Sequence, residues 1–578
     1  MPPSPGTARP AGPLADPSST DPARSGPTST DPTTTDGAAA GSVDLHLGVD
    51  EPQVPLPGLA DRAAEDAAST TGTPGSGTPE TGADVGRASA RGFAWTALAW
   101  GGNRLVVLGL TLVLARILVP ADFGLVTAAL TVIAILDAAL DLGLGAAVVA
   151  EQERGITPRI RAAFTLNLGL AALVAGAGAA ASPLIARLFH APDQVELFAL
   201  IFLYPLFRGA GLVNDAVLKR DLRFRRRTMI DVTRAVLRAG VSIPLAFTIG
   251  GALSIAAGLL VSELVAMVVL WCLVPIRPTT RVRGDVSRGL LRFGGQVTAI
   301  RVLGSFRTTV DYLVVGSVLG ASALGFYGMA YKLPELVIEN VLWIFSAVAL
   351  PAYARARAVS EGVLHSSMLR ATRLLALYGL AAGTSLAVVA RDAVPVVFSD
   401  TWEPAVVPMM LISLSIGVMS VAWASGDVFS ALGRPGVLVR LDVPATLVMA
   451  GMFLLAPRYG LVGVASVHLV FNLVYCVARL TVLHHVTRVP VGDVVRAVAP
   501  GFAVAGATAA VGLVVRALLP AGQLGSLVVL GLVCAVVVGI AALVVDRTSV
   551  ASALALVLPD RLAARLPRLL RSPSGAAA

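Results

Sequence analysis

Residues 116–132 read RILVPADFGLVTAALTV, and residues 316–333 read GSVLGASALGFYGMAYKL. Each is an apolar run that reaches a leucine, turns within a few residues at proline or glycine, and resumes as a second apolar run. With the second set 201 residues after the first, Leu118 falls over Leu319 and Gly124 over Gly325, so the two hairpins look like copies. Arms that are apolar on nearly every face belong in lipid, because there the backbone must satisfy itself and no polar face is needed.

Working outward from the hairpins, fourteen apolar runs recur between about residues 93 and 545, lengths that cross a hydrocarbon layer about 30 Å thick at about 1.5 Å per helical residue. Of 578 residues, 55% are hydrophobic and 14% charged, roughly half the charged share of a soluble domain. An ordinary cytosolic enzyme is excluded, and function has to reside in the membrane. The expected fold is an all-α polytopic membrane protein of about 14 transmembrane helices. A second echo sets Asp215 and Asp231 against Asp427 and Asp442, and IGGALSIAAGLLVSELV from Ile249 against YGLVGVASVHLVFNLV from Tyr459. Together the matches predict two six-helix lobes, 89–285 and 286–488, with two additional helices in 489–546. The copies begin an even number of spans apart, so the repeat is parallel and its axis runs along the membrane normal.

The ends are of different material. Residues 1–88 hold 12 acidic and 4 basic side chains among Pro, Ser, Thr, Gly and Ala, a composition that predicts a disordered tail. This stretch lacks the basic start and apolar core of a signal peptide. Residues 547–578 alternate apolar positions with Arg561, Arg565, Arg568 and Arg571, as an amphipathic segment lying on the inner leaflet would. Alternate loops are basic, from the block Lys219–Arg227 to Arg488 and Arg496, whereas the intervening loops hold little beyond Arg187, Arg391 and Arg458. This asymmetry places both termini in the cytoplasm, and the chain in the cytoplasmic membrane. The bilayer is the evident partner. Nucleic acid is not expected, since no soluble basic domain exists to dock on a duplex.

Nothing in the chain resembles catalytic machinery, so no catalytic residue, cofactor or metal is expected and the protein is read as a non-enzyme. Cys272, Cys476 and Cys534 lack paired spacing, and no phosphate-cradling Gly-Lys-Ser/Thr loop appears. The informative residues are ionisable groups inside spans, each costing about 2.5 to 3.5 kcal/mol at mid-bilayer on the insertion scale. Arg104 lies about 17 Å into the first run. Arg301 and Arg307 lie in the seventh and Lys332 in the eighth. These four are the substrate-binding candidates: a cationic patch between the halves whose guanidinium groups suit phosphate oxygens. Asp137, Asp141, Asp311, Glu335 and Glu339 are the candidates for ion coupling. The structural alternative pairs Arg307 with Asp311 and Lys332 with Glu335, neutralising each within the bundle. His468, alone in an apolar run, reads as a hydrogen-bonded core residue.

At LARILVPADFGLVTAAL (114–130), followed by DLGLGAAVVAEQ (141–152), the sequence resembles the polysaccharide transporter family, the O-antigen-type oligosaccharide flippases of the multidrug, oligosaccharidyl-lipid and polysaccharide exporter superfamily. The likeness extends through residues 291–337, LPAYARAR (350–357) and SALGRPG (430–436), covering about 92–485. It implies a V-shaped pair of six-helix lobes that move lipid-diphosphate-linked oligosaccharide between leaflets by alternating access, with Arg104, Arg307 and Lys332 as candidates to face the diphosphate. The implied substrate is a lipid-linked glycan for surface polysaccharide biosynthesis, and the implied partners are a polysaccharide polymerase or glycosyltransferases. A lipid II flippase and a drug/cation antiporter of the same superfamily are the near alternatives, and a membrane glycan polymerase is the rival from another class. The sequence departs from the family at Val119, where glycine is common, and in its long N-terminal tail.

Overall fold

A computed structural model describes Gly102 and residues 106–140, 157–279 and 304–547, apart from 222, 277 and 521. Arg104, Arg301, Asp141 and the terminal segments 1–88 and 548–578 lie outside the described residues. Among those described there is no strand. The helices run α1 (Val106–Ile117), α2 (Pro120–Leu140), α3 (Thr157–Leu188), α4 (Val195–Ile201), α5 (Leu203–Arg220), α6 (Phe224–Thr248) and α7 (Gly251–Leu273). After residue 304 they continue as α8 (304–314), α9 (Gly320–Pro334), α10 (Asn340–Val359), α11 (Glu361–Val397) and α12 (Val406–Ala431). The last four are α13 (Gly436–Leu455), α14 (Gly460–Thr487), α15 (Val491–Leu518) and α16 (Leu524–Val545).

Ten described stretches are long and apolar enough to cross a membrane. Two of them double back. Tyr327 donates to Asp311 across the turn at Gly320, and Tyr475 donates to Asp442 across the turn at Gly460, so 304–359 and 436–487 are each a helical hairpin. Outward faces are apolar along the bundle, with Leu184, Phe247, Leu454 and Leu513 all exposed, as lipid contact requires. Polar side chains turn inward as interhelical ties. Asn167 on α3 donates to Gly209 O at 2.6 Å, and Trp271 on α7 donates to Ala210 O at 2.8 Å, binding α3, α5 and α7 together. Towards opposite ends of α11, Arg373 meets buried Asp546 and buried Asp392 meets Arg516, which fasten α16 and α15 to α11.

The turn quoted at the outset is built locally. Pro120 takes the first position of α2, where a missing N–H costs nothing, and the Asp122 carboxylate reaches back to the Val119 N–H at 3.2 Å. Beyond the turn, α2 packs on α9 with no room for a side chain. A methyl on Gly124 would fall 1.7 Å from Ala321 O, and one on Gly325 would fall 1.9 Å from Pro120 O. The contact is reciprocal: Ala321 stands 201 residues after Pro120, as Gly325 does after Gly124. Two buried aromatics flank it in the same manner. Trp402 donates to Ala115 O at 2.8 Å, whereas Phe189 fills the space at Gly316, where a methyl would fall 2.4 Å from its ring. Ala115 and Gly316 keep the same offset.

Candidate functional site

Away from that seal, the helices after residue 304 part around a cavity of about 610 Å³. Three helical faces supply most of its wall, each by residues three or four apart on one side. The α9–α10 arm contributes Tyr331, Glu335, Glu339, Trp343 and Ser346. Helix α12 contributes Ser415, Met419, Trp423 and Asp427, and α14 contributes His468, Asn472, Tyr475 and Arg479. Arg307, Thr308, Asp311 and Tyr312 close it from α8. Pro334 lacks the N–H that would extend the helical ladder, and the chain widens into a π turn over Glu335–Glu339, the stretch that carries two of the carboxylates.

Asp311 sits at the inner end, only 3% exposed. Its Oδ2 accepts from Tyr327 at 2.8 Å and Tyr331 at 3.4 Å, and lies 3.2 Å from His468 Nε2. The same His468 nitrogen lies 2.7 Å from the Tyr327 hydroxyl and 2.9 Å from that of Tyr331. The other Asp311 oxygen is buried without a hydrogen-bond partner. The local pairing of Arg307 with Asp311, the structural alternative from the sequence, is therefore not the one formed: the carboxylate turns to a histidine on α14. As expected, His468 is hydrogen-bonded, but it also borders the cavity.

Near the opposite end, Trp343 and Trp423 stand edge to face, centroids 5.3 Å apart at 89°. Trp423 Nε1 donates to Ser346 Oγ at 2.9 Å, and Ser346 donates to Asp427 at 2.7 Å. Arg479 donates to Ser425 Oγ at 3.0 Å and lies over the Tyr475 ring at 5.7 Å.

Of the remaining candidates, Lys332 and Glu335 border a smaller cavity of about 60 Å³ against Val107, Leu108 and Thr111 of α1, and Glu335 and Asn340 line both spaces. Asp137 lies 3.0 Å from Arg208 Nε. Arg234 on α6 meets Asp231 on the same helix and Glu263 on α7, at 3.0 and 3.3 Å. The balance of charge departs from the expected cationic patch between halves. Among the described lining residues of the large cavity, Arg307 and Arg479 face Asp311, Glu335, Glu339 and Asp427, and all come from 307–479. Counting charges along apolar runs does not show which face each occupies. Arg479, Asp427 and Trp423 lie within the last turns of their helices, where a sequence reading assigns them to the interface. Their three- and four-residue spacing with other polar positions was the available signal.

The family model described as "Polysaccharide biosynthesis protein" matches residues 113–407. The chain is 25% identical to the lipopolysaccharide biosynthesis protein WzxC of Escherichia coli (strain K12) over 61% of its own length and 72% of that protein's. It is 26% identical to the succinoglycan biosynthesis transport protein ExoT of Rhizobium meliloti (strain 1021), over 60% and 70%. Its fold is that of the lipid II flippase MurJ in an inward closed conformation, with a TM-score of 0.66, 11% identity, and 78% and 99% of the two chains covered. With the family match spanning half of the sequence, the chain belongs to the polysaccharide biosynthesis protein family of multi-pass membrane proteins.

Proposed function

We propose that the protein is a flippase that carries a lipid-diphosphate-linked oligosaccharide across the cytoplasmic membrane for surface polysaccharide assembly. The observation that carries the reading is a cavity of about 610 Å³, ionisable and aromatic, among helices otherwise clad for lipid. Charged groups at such depth are retained for a substrate or ion path. In this reading residues 89–285 and 286–488 are two six-helix lobes that rock about the α2–α9 contact, 489–546 add two helices, and both termini are cytoplasmic. The reciprocal fit of Gly124 and Gly325 supports the two-lobe reading. The relatives' roles in lipopolysaccharide biosynthesis and succinoglycan transport support the substrate class.

Arg307, with Arg104, Arg301 and Lys332, is assigned to the diphosphate. Asp311, with Glu335 and Glu339, is assigned to the coupling ion, since a buried carboxylate oxygen without a partner, beside a histidine, suits uptake of a proton or cation. Asp137 and Asp141 are the remaining coupling candidates. A polymerase or glycosyltransferases would act before and after translocation, and the chain itself does no chemistry. One observation favours a second reading: the carboxylate excess in the described lining suits a drug/cation antiporter.

Purified protein in liposomes is expected to move a labelled polyprenyl-diphosphate glycan between leaflets, and Arg307→Ala is expected to slow it without affecting insertion. Failure of the wild type to move it, together with transport of an organic cation such as ethidium, would establish the antiporter reading instead.

A further inference from the structure

The cavity lining contains a feature that neither a diphosphate nor an acyl chain explains. Trp343 is 59% exposed and lines the cavity, its ring at right angles to that of Trp423. Both rings are held by their N–H groups: Trp423 through Ser346 to Asp427, and Trp343 at 3.4 Å from Glu339 Oε1. With their N–H groups engaged, the rings have apolar surface rather than donors to offer a ligand in the cavity. A carboxylate stands beside each ring, and an ionised carboxylate is an acceptor-only group. A polyprenyl chain would gain nothing from the acids, and a diphosphate would be repelled by them. A sugar ring has the complementary surface, one face of C–H groups and a rim of hydroxyl donors.

The position also suits the head of an amphiphile. Trp343 lies 23 residues past Gly320, about 35 Å along the helical arm from the sealed turn. Trp423 lies within the last turns of α12, before its end at Ala431. A glycan entering at that end meets the tryptophans before it reaches Asp311.

Resting on the flippase reading above, we propose that Trp343 and Trp423, with Glu339 and Asp427 beside them, form the glycan-reading subsite of this transporter. The rings hold neutral sugars by their faces. The carboxylates accept sugar hydroxyls and disfavour uronic and other acidic sugars. Trp343 and Trp423 are thus specificity-determining residues, distinct from those assigned to the diphosphate.

The test is binding to the full-length protein in nanodiscs. The probes are bare polyprenyl diphosphate, the same carrier bearing each of a panel of neutral disaccharides, and the carrier bearing a hexuronate disaccharide. At least one neutral disaccharide should bind about tenfold more tightly than the bare carrier, as expected of a stacked aromatic contact, and the hexuronate probe should bind no better than the bare carrier. Trp343→Ala and Trp423→Ala should erase the neutral-sugar advantage and leave the bare carrier's affinity unchanged. Trp343→Phe, which keeps a ring face, should retain most of it and controls for misfolding. Three outcomes overturn the subsite: no neutral sugar gains over the bare carrier, the advantage survives both alanine variants, or the hexuronate probe binds as tightly as the neutral ones. If the wild type binds no carrier at all, the flippase reading falls instead. Binding of ethidium lost in both alanine variants, with sugar probes unaffected, would assign the corner to organic cations.

Discussion

The two ends of the helical arm after residue 304 are opposites. Near Gly320, α9 lies against α2 so closely that neither Gly124 nor Gly325 could accept a methyl group, and Trp402 and Phe189 plug the flanks. About three to six turns past Gly320 on the same arm, Tyr331, Glu335, Glu339 and Trp343 line an open cavity of about 610 Å³. One end excludes even a carbon atom, and the other admits water and charge. One arm thus carries both the seal against α2 and the face that presents Glu335 and Glu339. The contrast shows where the protein tolerates change and where it does not.

The comparison breaks most severely at the seal. Gly124→Leu and Gly325→Leu are expected to abolish transport by forcing α2 and α9 apart, overpacking that costs about 1 to 3 kcal/mol or more. Reaction of Ala321→Cys with an impermeant maleimide should rise severalfold in the same background, and unchanged labelling would show that the seal had not opened.

Within the cavity, Arg307→Ala should reduce glycan translocation by about tenfold or more, with partial recovery in Arg307→Lys because lysine keeps the charge but not the paired geometry. Initial rates in liposomes decide it, and wild-type rates would remove Arg307 from the site. A finer division comes from Asp311→Asn, which should leave binding of the lipid-linked glycan intact while removing any dependence of transport on an imposed ion gradient. Persistence of that dependence would move coupling elsewhere. Tyr327→Phe removes one buried hydroxyl that bonds both Asp311 and His468, and should lower thermal stability by about 1 kcal/mol while shifting gradient dependence only modestly. The smallest effect belongs to the tail. Deleting residues 2–86 should leave transport within about twofold of wild type, since the segment has the composition of an unfolded chain, and loss of transport in a normally inserted deletion would give it a role.

Much of the fold was legible because its signals are local. The turn at Pro120 and Asp122, the glycines of both hairpins and the run lengths depend on neighbours a few residues apart, and each was readable from the chain. The site was legible in part. Arg307, Asp311, Glu335 and Glu339 stood out as charges inside apolar runs, and all four line the cavity. Asp427, Arg479 and Trp423 did not stand out as site residues, because near the ends of their helices polar and amphipathic side chains pass for interfacial anchors.

What the amino-acid order determined by itself is the solvent and the secondary structure. Apolar runs of that length have to be helices in lipid, because unpaired backbone there costs several kcal/mol per group. Only the tertiary structure decided which charges meet. Asp311 passed over the arginine four residues away for a histidine on α14, and Arg208 went to Asp137. The reason is geometric: a helix shows every residue to some neighbour, but which neighbour is set by how whole helices cross, and that is not written in any single segment.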